Sequence, residues 1–273
     1  MTLDWLVLIG IGLVSGTMGS LVGLGGGVIT VPALLLLAST LPSYTHITPQ
    51  IAVGTSMVLV VVTALSSTIS YARQQRVDMK SGWAFFMGSG PGAILGAYLT
   101  RFFQTGPFFI AFGLVMILMA IILTFRNRFK AQSVKWSVRR EFTDPKGNIY
   151  RYGYHLPTAL IGSFAVGGIS SLFGIGGGAL LMPMMVLLFQ FPPHVATATS
   201  MFVIFLSSIV GSATHLFQGH IAWHAVLFIA PGAWIGGQLG AWVSKKLSGR
   251  GLMLVLRLAI VVVGLRMILE GLS

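Results

Sequence analysis

Long apolar stretches alternate with short polar ones along the whole chain. The apolar runs fall at 5–22, 28–38, 51–70, 82–99 and 107–125, then at 157–173, 179–189, 195–216, 221–243 and 252–269. Most are close to the ~20 residues that a helix needs to cross a bilayer. Runs 28–38 and 179–189 are shorter; at about 1.5 Å per residue, eleven residues cover only roughly 17 Å. Each of these needs its flanks to cross, or enters the membrane and returns. The pattern predicts ten helical segments, five in each half. The polar stretch 126–156 separates the halves. Within it, Asp144, Pro145, Lys146, Gly147 and Asn148 form a turn signal that predicts a small hairpin between 141–143 and 149–152.

The two short runs follow a repeated motif. Gly23-Leu24-Gly25-Gly26-Gly27, with Pro32 five positions on, returns as Gly174-Ile175-Gly176-Gly177-Gly178 with Pro183, at a constant offset of 151. Three consecutive glycines break a helix. A broken membrane helix frees N–H and C=O groups that lipid cannot satisfy, so the break must face protein or a wet cavity. Paired breaks in corresponding halves are a sequence pointer to a transporter's binding site. The halves match further: Pro49 to Met57 aligns with Pro193 to Met201, and Gly90-Pro91-Gly92-Ala93 with Ala230-Pro231-Gly232-Ala233. The chain is a duplication.

Composition narrows the class. Of 273 residues 55% are hydrophobic and 8% charged, and mean hydropathy is +0.89. A soluble domain carries about 25% charged residues, so this is an integral membrane protein. No N-terminal signal peptide is expected, because no basic region or small-residue cleavage site flanks the first run. The formal charge of +12 would suggest nucleic acid in a soluble chain. Here the basic residues lie between apolar runs and fit topology anchors, so no nucleic-acid partner is expected. Cysteine is absent, which removes disulfides and thiolate chemistry.

Counting Lys and Arg orients the chain. With five crossings per half, fourteen fall on one side and Arg101 alone on the other, leaving out Arg257 and Arg266 within the last run. Positive-inside bias then makes the connector cytoplasmic, turns both termini outward and inverts one repeat relative to the other. The expected domains are a first membrane repeat at 1–125, a basic cytoplasmic connector at 126–156 and a second membrane repeat at 157–273. The expected place is the plasma membrane, with multiple passes.

The motifs suggest chemistry for an anion. Gly23, Gly25, Gly26 and Gly27, and Gly174, Gly176, Gly177 and Gly178, expose backbone N–H groups just before a short helix. Such a helix start suits an oxyanion without any charged side chain. Thr55, Ser56, Thr199 and Ser200 lie in early turns after Pro49 and Pro193, where their hydroxyls donate either to an anion or to their own helix carbonyls. Pairs such as Gly12/Gly16 and Gly92/Gly96 are assigned to close helix packing. Asp4, Asp78, Glu141, Asp144 and Glu270, the only acidic residues, all lie outside the apolar centres. This disfavours a carboxylate proton relay or an oxygen-ligand metal cage. His215, His220 and His224 gather near one predicted outer loop; with no acidic partner, an interfacial role is favoured over metal ligation. Arg257, unmatched in the first half, reads as structural. Ser212 with His215 lacks a group to orient the base, so no enzyme, catalytic residue, metal or cofactor is expected. No nucleotide-binding loop is present.

The duplicated Gly-x-Gly-Gly-Gly with its following proline, and the duplicated Ala-x-x-Thr-Ser-Met, resemble the sulfite exporter TauE/SafE family along almost the entire chain. The departure is Gly54 against Ala198. The resemblance implies an all-α polytopic permease for sulfur-containing oxyanions such as sulfite or organosulfonates, of the exporting kind. Its site residues would be those eight glycines with Thr55, Ser56, Thr199 and Ser200. The expected mechanism is alternating access between two inverted repeats, with a small anionic substrate, the lipid bilayer, and a coupling proton or other ion as partners. The alternatives are an anion channel, a carrier of an unrelated small solute, or a non-transporting membrane scaffold or intramembrane enzyme. Nothing in the sequence sets the oligomeric state.

Overall fold

The computed structural model describes residues 4–125, 136–143, 149–246 and 250–272. Ten α-helices stand among them: α1 (Asp4–Val22), α2 (Gly27–Thr40), α3 (Pro49–Arg73), α4 (Met79–Thr100), α5 (Thr105–Phe125), α6 (Leu156–Phe173), α7 (Gly178–Phe189), α8 (Pro193–Phe217), α9 (Trp223–Lys246) and α10 (Arg250–Leu272). The expected hairpin is present as antiparallel strands β1 (Val138–Thr143) and β2 (Ile149–Tyr154), with Arg140 opposite Tyr152. Its turn signal, Asp144 to Asn148, and positions 126–135 of the connector lie outside the described residues, as does the side chain of Arg257.

Helix starts follow the local chemistry. Pro49 and Pro193 each open a helix, where a missing N–H costs nothing. Thr48 and Asp78 cap α3 and α4 by accepting from the N–H groups of Ile51 and Ser81. Among the described residues, six helices (α1, α3, α5, α6, α8 and α9) are long and apolar enough to cross a membrane. Large hydrophobic side chains such as Met87, Ile161 and Leu227 stay exposed, which in a bilayer is contact with lipid.

α3 and α8 form the centre. In their apolar windows 72% of residues are buried, against 33–44% in the other four spans. They run antiparallel: Gly54, near the start of α3, packs on His215 and His220 at the far end of α8. Around this pair the halves exchange partners. α1 packs on α9 and α4 on α6, while α3 also touches α9 and α8 touches α4; α5 lies against α10.

Glycine makes these exchanges close. A Cβ on Gly232, Gly236 or Gly240 would strike the backbone carbonyls of Ile9, Leu13 and Thr17; one on Gly88, Gly92 or Gly96 would strike those of Leu160, Phe164 and Gly168. The second set repeats the first, shifted by 144 on one helix and 151 on the other. Gly12 and Gly16 abut Ile229 and Ala233, so the small-residue spacing serves helix packing, as expected.

Candidate functional site

The two glycine breaks meet at the middle of the molecule. α1 ends at Val22 and α2 begins at Gly27; α6 ends at Phe173 and α7 begins at Gly178. Gly23, Gly25 and Gly26 have φ of 78°, 85° and 90°, and Gly174, Gly176 and Gly177 have φ of 68°, 88° and 68°. These left-handed values are closed to most side chains. The breaks touch directly: a Cβ on Gly27 would collide with the Gly174 carbonyl oxygen, and one on Gly178 with that of Gly23. Val60 and Ile204, 144 apart in sequence, flank Gly25 where it faces Gly176.

All eight motif glycines are buried. The N–H groups of Gly23, Leu24 and Gly25 turn back to Ser20 and Gly19 and close the end of α1. Among the described residues, the N–H groups of Gly26, Gly27, Gly176 and Gly177 make no backbone hydrogen bond. Gly26 and Gly177 are also the residues that open α2 and α7. Two helix N-termini, each with partial positive charge and unpaired donors, therefore converge at the centre.

Thr55, Ser56, Thr199 and Ser200 are fully buried, and each has a partner inside the protein. Thr55 Oγ1 accepts from the N–H of Ala222 at 2.8 Å, and Thr199 Oγ1 accepts from the N–H of Asp78 at 3.0 Å. Each threonine thus holds the entry of a helix from the other half. Ser56 Oγ donates to the Gly174 carbonyl at 2.8 Å, tying α3 to the second break. Ser200 Oγ donates to Thr197 O in its own helix, although it stands beside Gly23. The structure brings all twelve motif residues into one buried region, with the hydroxyls bound to protein groups.

Above Thr55 lies a cavity of about 570 Å³, lined among others by Trp5, Tyr44, His46, Ala222, Trp223 and His224. Above Thr199 the hairpin sits instead. Tyr152 and Tyr154 pack on Phe85, Phe189 and Phe191. Arg140 grips Asp78 with two hydrogen bonds, at 2.7 and 3.2 Å, and Tyr152 Oη donates to Asp78 Oδ2 at 3.0 Å. Burial pushes the Asp78 carboxyl upward. The Arg140 guanidinium and the hydroxyl and N–H of Ser81 outweigh it and hold the group below the usual carboxylate range. Burial, and the Asp78 charge beside it, push the Tyr152 phenol up. The position matching Asp78 in the second half is Ala222, so this ion pair belongs to one half alone. The sequence gives no sign of this pair: a lone Asp before a helix offers only a capping signal.

Of the three histidines, His215 is fully buried rather than interfacial, while His224 is exposed at the cavity rim. Among the described residues no three His, Cys, Asp or Glu side chains are grouped to hold a metal.

A model of the family described as "Sulfite exporter TauE/SafE" matches residues 8–267. The chain belongs to this family. Similar chains include Probable membrane transporter protein YunE of Bacillus subtilis (strain 168), 42% identical over 98% of this chain and 99% of that one. Probable membrane transporter protein ORF9 of Sinorhizobium sp is 28% identical over 91% and 85%. MJ0441 of Methanocaldococcus jannaschii, also a probable membrane transporter protein, is 25% identical over 96% and 95%. No solved structure matches the chain. Family and relatives mark the TauE/SafE chain as a multi-pass membrane transporter rather than an enzyme.

Proposed function

We propose that the chain is a secondary permease for a small sulfur oxyanion such as sulfite or an organosulfonate, working as an exporter from the plasma membrane. One observation carries the reading: two helix starts are buried where the glycine breaks touch, and the N–H groups of Gly26, Gly27, Gly176 and Gly177 there make no backbone hydrogen bond among the described residues. An oxyanion entering there finds donors without any cationic side chain, and each bond to a charged group contributes about 1.5–3 kcal/mol. Thr55, Ser56, Thr199 and Ser200 complete the wall and set the spacing between halves. The donors are packed shut between α1, α3, α6 and α8, which suits a site exposed only when the halves move.

In this reading the halves are inverted repeats that rock in alternating access. The reciprocal helix contacts and the antiparallel α3 and α8 support it. The cavity above Thr55 is then the outer vestibule, and the hairpin closes its cytoplasmic counterpart. Without a nucleotide motif, ion gradients or the anion's own gradient supply the energy.

The test is flux into proteoliposomes. Labelled sulfite and isethionate are expected to enter saturably and to compete with one another, while chloride does not compete. A flux that never saturates and passes chloride would make the protein a channel. No flux of any sulfur oxyanion would sink the reading.

A further inference from the structure

Among the described residues, His215 is the buried histidine beside the glycine crossing, and the anion site does not use it. It lies in the last turn of α8 with no exposure to solvent. Its Nε2 stands 3.1 Å from the carbonyl oxygen of Ser171, three residues before the break at Gly174. A carbonyl accepts only from an N–H, so Nε2 carries the proton and Nδ1 holds a bare lone pair. That Nδ1 is buried without a partner, and so are Nδ1 of His220 and the hydroxyl of Ser171. A buried polar atom left unmet is costly, which singles out such groups for an unseen role.

The first half shows what a purely structural residue looks like here. Tyr71 and His215 stand 144 apart, and Ser20 and Ser171 stand 151 apart, the same offsets that relate the Thr-Ser motifs and the glycine breaks. Tyr71 Oη donates to the Ser20 carbonyl at 3.0 Å and also reaches Ser244 Oγ at 3.2 Å. The contact with the end of the broken helix is therefore made twice. In the first half it is made by a phenol whose ordinary pKa is about 10, in the second by an imidazole whose ordinary value is about 6.5. Hydrogen bonding alone did not require the change.

The surroundings leave the imidazole a single ionisable neighbour. α3 presents Gly54 to it, α6 presents Ser171, and the turn after α8 presents His220 with its ring 6.0 Å away. Among the described residues no carboxylate, lysine or arginine faces it. His220 is half-buried and so links the buried ring to water.

We propose that Nδ1 of His215 binds the proton that travels with the anion, one proton for each singly charged oxyanion, so that the moving unit carries no net charge and export runs down the anion's own outward gradient. This rests on the transporter reading, since a proton site without cargo couples nothing. His215 acts through the end of α6 and not by touching the anion.

Isethionate separates the two ideas, because its sulfonate stays ionised throughout the working pH range. Wild type, His215→Tyr, His215→Gln and His220→Gln are placed in proteoliposomes with a trapped pH-sensitive dye. Tracer exchange at equal pH reads transport alone; uptake under an inward tenfold proton gradient, with the dye signal, reads coupling. Wild type should respond several-fold to the gradient and acidify the lumen as isethionate enters. His215→Tyr, which keeps the bond to Ser171 in the manner of Tyr71, should exchange within about twofold of wild type and lose both responses. His215→Gln guards against a tyrosine that fails to fit. Gradient response retained in both His215 variants, or lost only in His220→Gln, overturns the proposal. So does a wild type that exchanges isethionate with no proton entry. A wild type without any exchange defeats the transporter reading instead, and the proposal with it.

Discussion

The backbone N–H of Asp78 donates to Thr199 Oγ1 across 3.0 Å, joining the first turn of α4 to the motif helix of the opposite half. Its counterpart runs from Ala222 to Thr55. Replacing Thr199 or Thr55 by valine leaves a partly buried N–H without its partner, at a cost of about 1 kcal/mol. Thermal unfolding in detergent should show both valine variants several degrees below wild type, with Thr199→Ser close to it. Equal melting of valine and serine variants would remove the tie from any account of the fold. Because the tie sets the spacing between halves, isethionate binding to Thr199→Val/Ser200→Ala should weaken by about 10- to 100-fold in calorimetry.

The ion pair behind that contact predicts an acid-side weakness. The folded pKa of Asp78 is held below its ordinary 3.8. Its contribution is therefore fully present above that value and fades as pH falls through the folded value. Stability of the wild type followed from pH 7 downward should decline below about pH 4. Asp78→Asn should start lower at pH 7 and lose part of the decline. Arg140→Gln should cost about 2 kcal/mol at neutral pH and expose the hairpin to protease. A wild-type and Asp78→Asn pair with parallel acid limbs would contradict the assignment.

Much of this was written in the chain. Apolar runs and prolines place the helices, and the offset of 151 marks both breaks. The turn at Asp144 to Asn148 announced the hairpin strands. What was illegible is what joins elements far apart in sequence. Nothing near Thr55 names Ala222 as its donor, and nothing in the basic connector says that Arg140 reaches Asp78. Sequence places His215 with His220 and His224 near an outer loop and so at the interface; only the fold brings α3 and α6 over it. The hydroxyls, open to either an anion or the protein by sequence, have protein partners in the structure.

Glycine substitutions should separate packing from freedom of the backbone. Gly27→Ala places a methyl against the Gly174 carbonyl and should lower both thermal stability and flux sharply. Gly10, in α1, has nothing within 4 Å of a Cβ. Gly10→Ala should therefore leave flux unchanged and raise stability by about 0.5–1 kcal/mol through helix propensity. If Gly27→Ala transports like wild type, the breaks tolerate separation and the crossing is looser than drawn.

Orientation can be read on the native cysteine-free background. Ser43→Cys, at the cavity mouth, should react with an impermeant maleimide added to intact cells. Arg151→Cys, on the exposed face of the hairpin, should react only after the membrane is opened. Labelling of Arg151→Cys from outside would reverse the proposed topology.

The exchange of partners between the halves has a consequence for how the molecule is made. α1 rests on α9, whose residues are synthesised about 220 positions later. At about 5–20 residues per second, α1 waits in the bilayer for roughly 10–40 s with its glycine face uncovered. α4 waits for α6 in the same way, though more briefly. The glycine faces of α1 and α4 find their partners only in the second half, so the first five helices reach their final packing only once the second five are made.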